Sequence, residues 1–366
     1  MRRAVFAVLL VGVCGLVALA QSITDADRAT SLVMPDGPED AARDAVPKQL
    51  EVAPGAAPAQ PTTETDQPAP RETVVAAKTV FGAAATPAPL AARAIGFYSR
   101  GCLAGAVPVP IDGEVWQVMR LSRNRNWGHP ELVRMVRRLA EDAAANDGWP
   151  GLLVGDLSQP RGGPMLTGHN SHQIGLDADI WLTPMPERRF SAGEREQLAA
   201  TSMLAKDGIH ADPEIFTPYH AALIRRAASY PEVERVLIHP GIKKAMCLEA
   251  GVDRSHFHKI RPYWGHHYHM HIRIGCPRDS SGCRGQAPTA GDDGCGKEID
   301  DWLASLKKPT KPEPPTAVEA PRDERRPVTL DDLPAECRGV LTAGTHETQG
   351  NAVGGRKVTR SARTAP

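Results

Sequence analysis

The chain has 366 residues, 41% of them hydrophobic, enough to bury one large core or two modest ones without repeats or oligomerisation. Its 43 basic residues balance 43 acidic ones, so no global field recruits an anionic membrane, and no nucleic-acid partner is expected. Aromatics make up 5% against 33 Gly and 33 Pro, more breakers than a compact domain needs, so much of the chain is expected to be unpacked.

At the start, Arg2 and Arg3 precede an apolar run from Ala4 to Ala20 that ends in Ala18-Leu19-Ala20 before Gln21. That is the pattern of a cleavable secretory signal over residues 1–20 and of export to the periplasm. Gly12 and Gly15 interrupt the run, and it falls short of the roughly 20 apolar residues that a membrane span needs. Residues 21–93 are rich in Ala, Pro, Thr and acidic side chains, with Phe81 as their only aromatic. Burial there cannot offset the entropy of ordering, so the stretch reads as a disordered linker, with a propeptide removed after export as the alternative. A folded domain is expected over 94–339 and a disordered tail over 340–366.

Within the domain, residues 131–146 place Leu132, Met135, Val136, Leu139, Ala140 and Ala143 on one stripe, which predicts a core helix. Residues 151–157 read as a short buried strand. Residues 174–181 alternate Ile174, Leu176, Ala178 and Ile180 against Gly175, Asp177, Asp179 and Trp181, a strand with carboxylates on one face. Helices are expected at 191–206 and at 219–229, the second with Thr217-Pro218 as cap and first turn, then a strand at 233–239. Residues 266–274 alternate Tyr268, Met270, Ile272 and Ile274 against His267, His269, His271 and Arg273, so the polar face of this strand is mostly imidazole. A last helix is expected at 298–306. Helices mixed with short strands, without regular strand-helix alternation, give an α+β domain built on a small antiparallel sheet flanked by helices.

Six cysteines remain beyond the signal, at Cys102, Cys247, Cys276, Cys283, Cys295 and Cys337, an even count in an oxidising compartment. No C-x2-C pair occurs, so three disulfides are preferred to cysteine-ligated zinc, and cysteine order leaves 15 connectivities open. Histidine clustering points to a metal. His256, His258, His266, His267, His269 and His271 crowd a short stretch, and His169 and His172 precede the acidic strand. A catalytic zinc takes three imidazole or carboxylate ligands and leaves a position for water. A turn at Gly175 returns the His172 ring toward Asp177 and Asp179, while His269 and His271 point the same way about 7 Å apart. One of these two can bind metal while the other serves the water, and spacing alone does not choose. Asp177 is either a partner that orients an imidazole or a solvent-facing carboxylate. Arg161 is either a fork for a substrate carboxylate or part of a loop, and His256 and His258 read as a solvated or substrate-facing loop.

The segments Gly168-His-Asn-Ser-His-Gln-Ile-Gly-Leu-Asp-Ala-Asp179 and Trp264-Gly-His-His-Tyr-His-Met-His271 carry an H-x6-D and an H-x-H motif, in order. Through them residues 94–337 resemble the penicillin-insensitive murein endopeptidases, which belong with the D-alanyl-D-alanine metallopeptidases and the hedgehog-type zinc fold. The resemblance implies that His172, Asp179 and His271 bind Zn2+, that His269 is the general base and that His266 assists. It also implies a second zinc at a subunit interface, with His169, Asp207 and His210 at the matching positions, and hence a homodimer. The implied disulfides are Cys102 to Cys337, Cys247 to Cys295 and Cys276 to Cys283. The implied substrate is the D-alanyl to meso-diaminopimelyl cross-link of peptidoglycan, cut without sensitivity to β-lactams. A D,D-carboxypeptidase or dipeptidase on the same site, or a non-catalytic wall-binding zinc protein, are the alternatives. Serine chemistry is rejected: Ser305-Leu-Lys-Lys308 fits S-x-x-K only at the end of a helix, and Lys78-Thr79-Val80 lacks the glycine of K-T-G.

Overall fold

The computed structural model describes residues 75–249, 251–289, 291–307 and 326–344. The expected signal, most of the expected linker and most of the expected tail lie outside the described residues. The helices are α1 (Ala77–Gly82), α2 (Pro130–Asn146), α3 (Ala192–Gln197), α4 (Pro218–Ser229), α5 (Pro240–Leu248), α6 (Lys297–Leu306) and α7 (Glu336–Thr342). The first six strands are β1 (Arg93–Phe97), β2 (Arg100–Ala104), β3 (Val107–Pro108), β4 (Asp112–Gly113), β5 (Trp116–Val118) and β6 (Trp127–Gly128). They are followed by β7 (Leu152–Val154), β8 (Asp177–Trp181), β9 (Val233–Ile238), β10 (Ile260–Pro262) and β11 (His269–Ile274). The class is α+β.

The main sheet runs in the order β10-β9-β11-β8-β7-β5-β4. The antiparallel pairs β9·β11 and β11·β8 form its middle, while β10·β9 and β5·β7 are parallel. Both middle strands are buried on both faces, which explains how a cleanly alternating sequence ends up with no wet side. Ala178, Ile180, Met270 and Ile272 point into the main core with the stripe of α2 and with Leu223, Ile224 and Ala227 of α4. The opposite face holds the carboxylates and imidazoles. The two long helices under the sheet start on local signals. His129 accepts from the N–H of Glu131 ahead of Pro130, and Thr217 forms a reciprocal cap with His220 ahead of Pro218.

Some elements differ from expectation. The helix predicted over 191–206 spans only Ala192–Gln197: Ser191 and Glu194 cap its start reciprocally, and Leu198 is already extended. Beyond it the backbone bonds elsewhere, Thr201 to the Thr183 hydroxyl and Met203 to the carbonyl of His267, so tertiary hydrogen bonds override helix propensity. The strand predicted over 266–274 begins at His269, because Gly265 turns the chain at φ +80°. Helix α5, not expected from the sequence, starts on its His239 cap and Pro240 and buries Ile242, Met246 and Cys247.

The expected linker to residue 93 is folded from residue 75 onward. Ala77 and Phe81 of α1 are fully buried with Ile95, Cys102, Leu333, Cys337 and Val340. The Phe81 ring lies where a Cβ on Gly163 (φ +77°) would sit, so one aromatic and one glycine anchor a segment whose average composition looks unfoldable. Helix α7 likewise continues past residue 339, to Thr342. Arg161 holds its end, donating to the carbonyls of Val340 at 2.7 Å and Leu341 at 2.6 Å, which makes it a structural arginine rather than a fork for substrate. The disulfides are Cys102–Cys337, Cys247–Cys295 and Cys276–Cys283, with Cα separations of 5.7, 5.5 and 5.8 Å. The first closes a span of 235 residues and ties α7 to β2, the geometry in which a crosslink restricts the unfolded chain most.

Candidate metal centre

Antiparallel pairing sets Asp179 of β8 directly opposite His271 of β11, with Asp177 opposite Arg273 and Trp181 opposite His269. With side chains alternating at a period of two, Asp177, Asp179, His269, His271 and Arg273 share one face. His172 enters from the preceding turn. It adopts φ +66°, a left-handed conformation rare for a non-glycine residue, and its own N–H donates to Asp177 Oδ2 at 3.0 Å. Gly175 (φ +70°) closes that turn against Leu103 and the backbone of His129, where no Cβ fits. The chain is thus forced back, and the fully buried His172 ring meets the strand carboxylate.

Asp179 is the hub. His271 Nδ1 lies 3.1 Å from its Oδ1, His172 Nε2 at 3.5 Å and His269 Nε2 at 3.8 Å, while His169 Nε2 lies 3.5 Å from Oδ2. The His266 ring stacks at 4.8 Å from that of His269 and 5.8 Å from that of His271. His169, His172 and Asp179 offer ligand atoms within 4.8 Å of one another. Both ring nitrogens of His172, Oδ1 of Asp179, Nδ1 of His269 and Nε2 of His271, which lies near Asp177 but outside hydrogen-bond geometry, are buried without a hydrogen-bond partner among the described residues. Buried polar atoms are normally paired. Imidazole nitrogens and a carboxylate oxygen left unpaired around one point fit a divalent cation such as zinc, which takes those ligand types.

Two further carboxylates pack against these side chains. Asp177 is fully buried and receives a fork from Arg273, Nε at 2.7 Å and Nη2 at 3.2 Å, while His271 Nε2 lies 3.1 Å from its Oδ1. Arg273 in turn rests over the Tyr98 ring at 3.9 Å, and the Tyr98 hydroxyl donates to the carbonyl of Ile274 at 2.9 Å. Asp177 therefore orients His271 from behind and leaves Nδ1 toward Asp179. Asp156 Oδ2 takes Arg125 at 2.8 Å, Arg123 at 3.2 Å and His169 at 3.3 Å. Asp156 and the two arginines were not singled out in the sequence. The only signal was a polar residue closing a buried strand.

The charges follow from these contacts. Burial opposes ionisation of Asp177 and Asp179, but Arg273 at the first and His172 and His269 at the second outweigh it and hold both carboxyls well below the usual range. Burial also opposes the His271 cation, yet Asp177 and Asp179 push its pKa up to about 9. Burial pushes His269 down to about 3 and His266 down to about 4, so both are neutral near pH 7.

Five of the eight site residues expected from the sequence thus meet at Asp179: His172, His271, His269, His266 and Asp179 itself. His169 lies beside them within the one chain. Its contacts run to Asp156, Asp179 and the His172 ring at 4.4 Å. Asp207 and His210 form a separate exposed pair, Nδ1 to Oδ2 at 2.5 Å, with the N–H groups of Ile209 and His210 on Oδ1.

Residues 94–342 match the family described as penicillin-insensitive murein endopeptidase. Among relatives of that name, the one from Haemophilus influenzae is 42% identical over 231 residues, covering 63% of this chain and 78% of its own. That from Yersinia enterocolitica is 40% identical over 220 residues, covering 60% and 79%. That from Klebsiella pneumoniae is 38% identical over 250 residues, covering 68% and 86%. The chain belongs to the penicillin-insensitive murein endopeptidase family, a family of metallopeptidases.

Proposed function

We propose that the chain is a periplasmic, zinc-dependent endopeptidase that hydrolyses the D-alanyl to meso-diaminopimelyl cross-link of peptidoglycan. The observation that carries this reading is the buried ring of unpaired imidazole and carboxylate atoms around Asp179, in a chain of this family. His172, Asp179 and His271 are the metal ligands, with His169 approaching the same carboxylate from the more open side. His169, Asp207 and His210 are the candidates for a second ion at a homodimer interface. No helix among the described residues is long and apolar enough to cross a membrane, and the periplasmic placement rests on the N-terminal pattern and the wall substrate.

A zinc ion held there supplies Lewis acidity, lowering the pKa of a water toward about 7 and polarising a carbonyl. The side chains supply the proton traffic. His269, kept neutral by burial, accepts the proton of the attacking water. The proton that His269 takes from the water then passes to the departing amine, and His266, whose Nδ1 donates to the carbonyl of Trp264 at 2.7 Å, has a bare Nε2 that can relay it. Asp177, tied down by Arg273, keeps His271 from turning. No covalent intermediate is needed. Ser305, the one serine in an S-x-x-K setting, is exposed and spends its hydroxyl on the carbonyl of Trp302, so it offers a β-lactam no activated nucleophile.

The test is digestion of purified cross-linked muropeptide dimers. Monomers appear, their release stops with a chelator and returns with zinc. Release of free D-alanine without monomers would turn the reading into a carboxypeptidase, and no chelator-sensitive product would overturn it.

A further inference from the structure

Three donors converge on one oxygen, Asp156 Oδ2: Arg125 at 2.8 Å, Arg123 at 3.2 Å and His169 at 3.3 Å. A carboxylate oxygen has two lone pairs, so one of the three is poorly served. Arg125 is buried and uses its Nη2 on the carbonyl and hydroxyl of Thr167, at 2.9 and 3.1 Å. Arg123 is the donor left over. Its side chain is 40% exposed, only Nη1 reaches Asp156, and its remaining N–H groups have no partner among the described residues.

The backbone presents it deliberately. Arg123 ends a 3-10 turn, Leu121–Arg123, bracketed by two non-glycine residues in the left-handed region, Arg120 at φ 55° and Asn124 at φ 50°. Glu196 fixes the turn from the far side by accepting from the N–H and hydroxyl of Ser122, both at 2.8 Å. The charge count points the same way. Arg273 neutralises Asp177 and Arg125 neutralises Asp156, which leaves Arg123 as the cation in excess beside them. It faces solvent beside His169.

We propose that Arg123 binds a carboxylate of the substrate, namely the one borne by the carbon next to the scissile amide nitrogen on the leaving side. The inference rests on the endopeptidase reading: the amine released from a diaminopimelyl cross-link sits on the same carbon as a carboxylate, whose carbon lies two bonds from the departing nitrogen. A guanidinium with unpaired N–H groups is the planar, charge-assisted partner for that group.

The test uses two synthetic muropeptide dimers, identical except that this carboxylate is free in one and amidated in the other. The wild-type enzyme cleaves the free form with a kcat/KM about 10- to 100-fold above that of the amide. Arg123→Gln loses most of that preference through a higher KM on the free form, keeps its rate on the amide, and retains the metal content of the wild type. Arg123→Lys recovers part of the preference. An equal loss on both dimers, or an undiminished preference in Arg123→Gln, assigns Arg123 a structural role and overturns the inference. Wild-type enzyme that cleaves both dimers alike overturns it and leaves the endopeptidase standing, whereas wild-type enzyme that cleaves neither overturns both.

Discussion

Two groupings of the same residue types, Asp179 with its histidines and Asp207 with His210, sit in opposite surroundings. Asp179 is 4% exposed, three imidazole nitrogens face its Oδ1, one more than that oxygen's two lone pairs, and Oδ1 and both ring nitrogens of His172 have no hydrogen bond among the described residues. Asp207 and His210 are each 45% exposed and complete each other through a direct contact and two backbone N–H groups. Burial makes an unpaired polar atom costly, and only in the first grouping is there a deficit for an ion to remove. Residue type and spacing do not separate them; burial and satisfaction do.

That contrast can be broken at several strengths. The largest effect is expected from Asp179→Ala, which removes the hub: metal analysis finds the ion lost and dimer cleavage falls to background. His269→Ala comes next. It keeps the metal and lowers kcat by about 10²- to 10⁴-fold, the range for losing a general base, and unchanged turnover would remove His269 from that role. Asp177→Asn keeps the carboxamide in place behind His271 but drops the charge that Arg273 and His271 share. Metal affinity or activity is expected to fall about 10- to 100-fold, read by competition with a chelator.

The smallest effect lies away from both groupings, at a buried charge that no ion relieves. Lys243 is fully buried, donates to the carbonyls of Phe257 and Asp293 at 3.1 and 2.7 Å, and is pushed down to about 7 by burial. Between that value and the ordinary lysine range the unfolded chain holds the proton that the folded one has released, so this group makes stability rise with pH there. The urea midpoint of the wild type is expected to gain more than that of Lys243→Met between about pH 6 and about pH 9. Equal gains would place the buried Lys243 charge outside the pH response.

Much of this centre was legible before the fold. The alternation of residues 174–181 and 266–274 put Asp179 and His271 on polar faces, and antiparallel pairing then needed only the right register, which the structure supplies. The choice between His269 and His271 was not legible from spacing. We favour His271 as the ligand because Asp177 lies against it from behind, a contact across strands that no local pattern encodes. The contact of His169 with Asp156 was not legible for the same kind of reason: Asp156 follows β7, in a different part of the chain. The folded start at residue 75 was hidden because composition averages over a segment while Phe81 alone anchors it. The shortened helix at Ala192–Gln197 was hidden because Thr183 and His267 compete for its backbone from far away.

The central claim is that one tightly held ion belongs to the Asp179 grouping. The direct measurement is metal content by elemental analysis, on monomeric protein reloaded with zinc and desalted, for the wild type, Asp179→Ala and Asp207→Ala. The expected result is about one tightly held zinc in the wild type and in Asp207→Ala, and none in Asp179→Ala. Zinc retained in Asp179→Ala but lost in Asp207→Ala would contradict it.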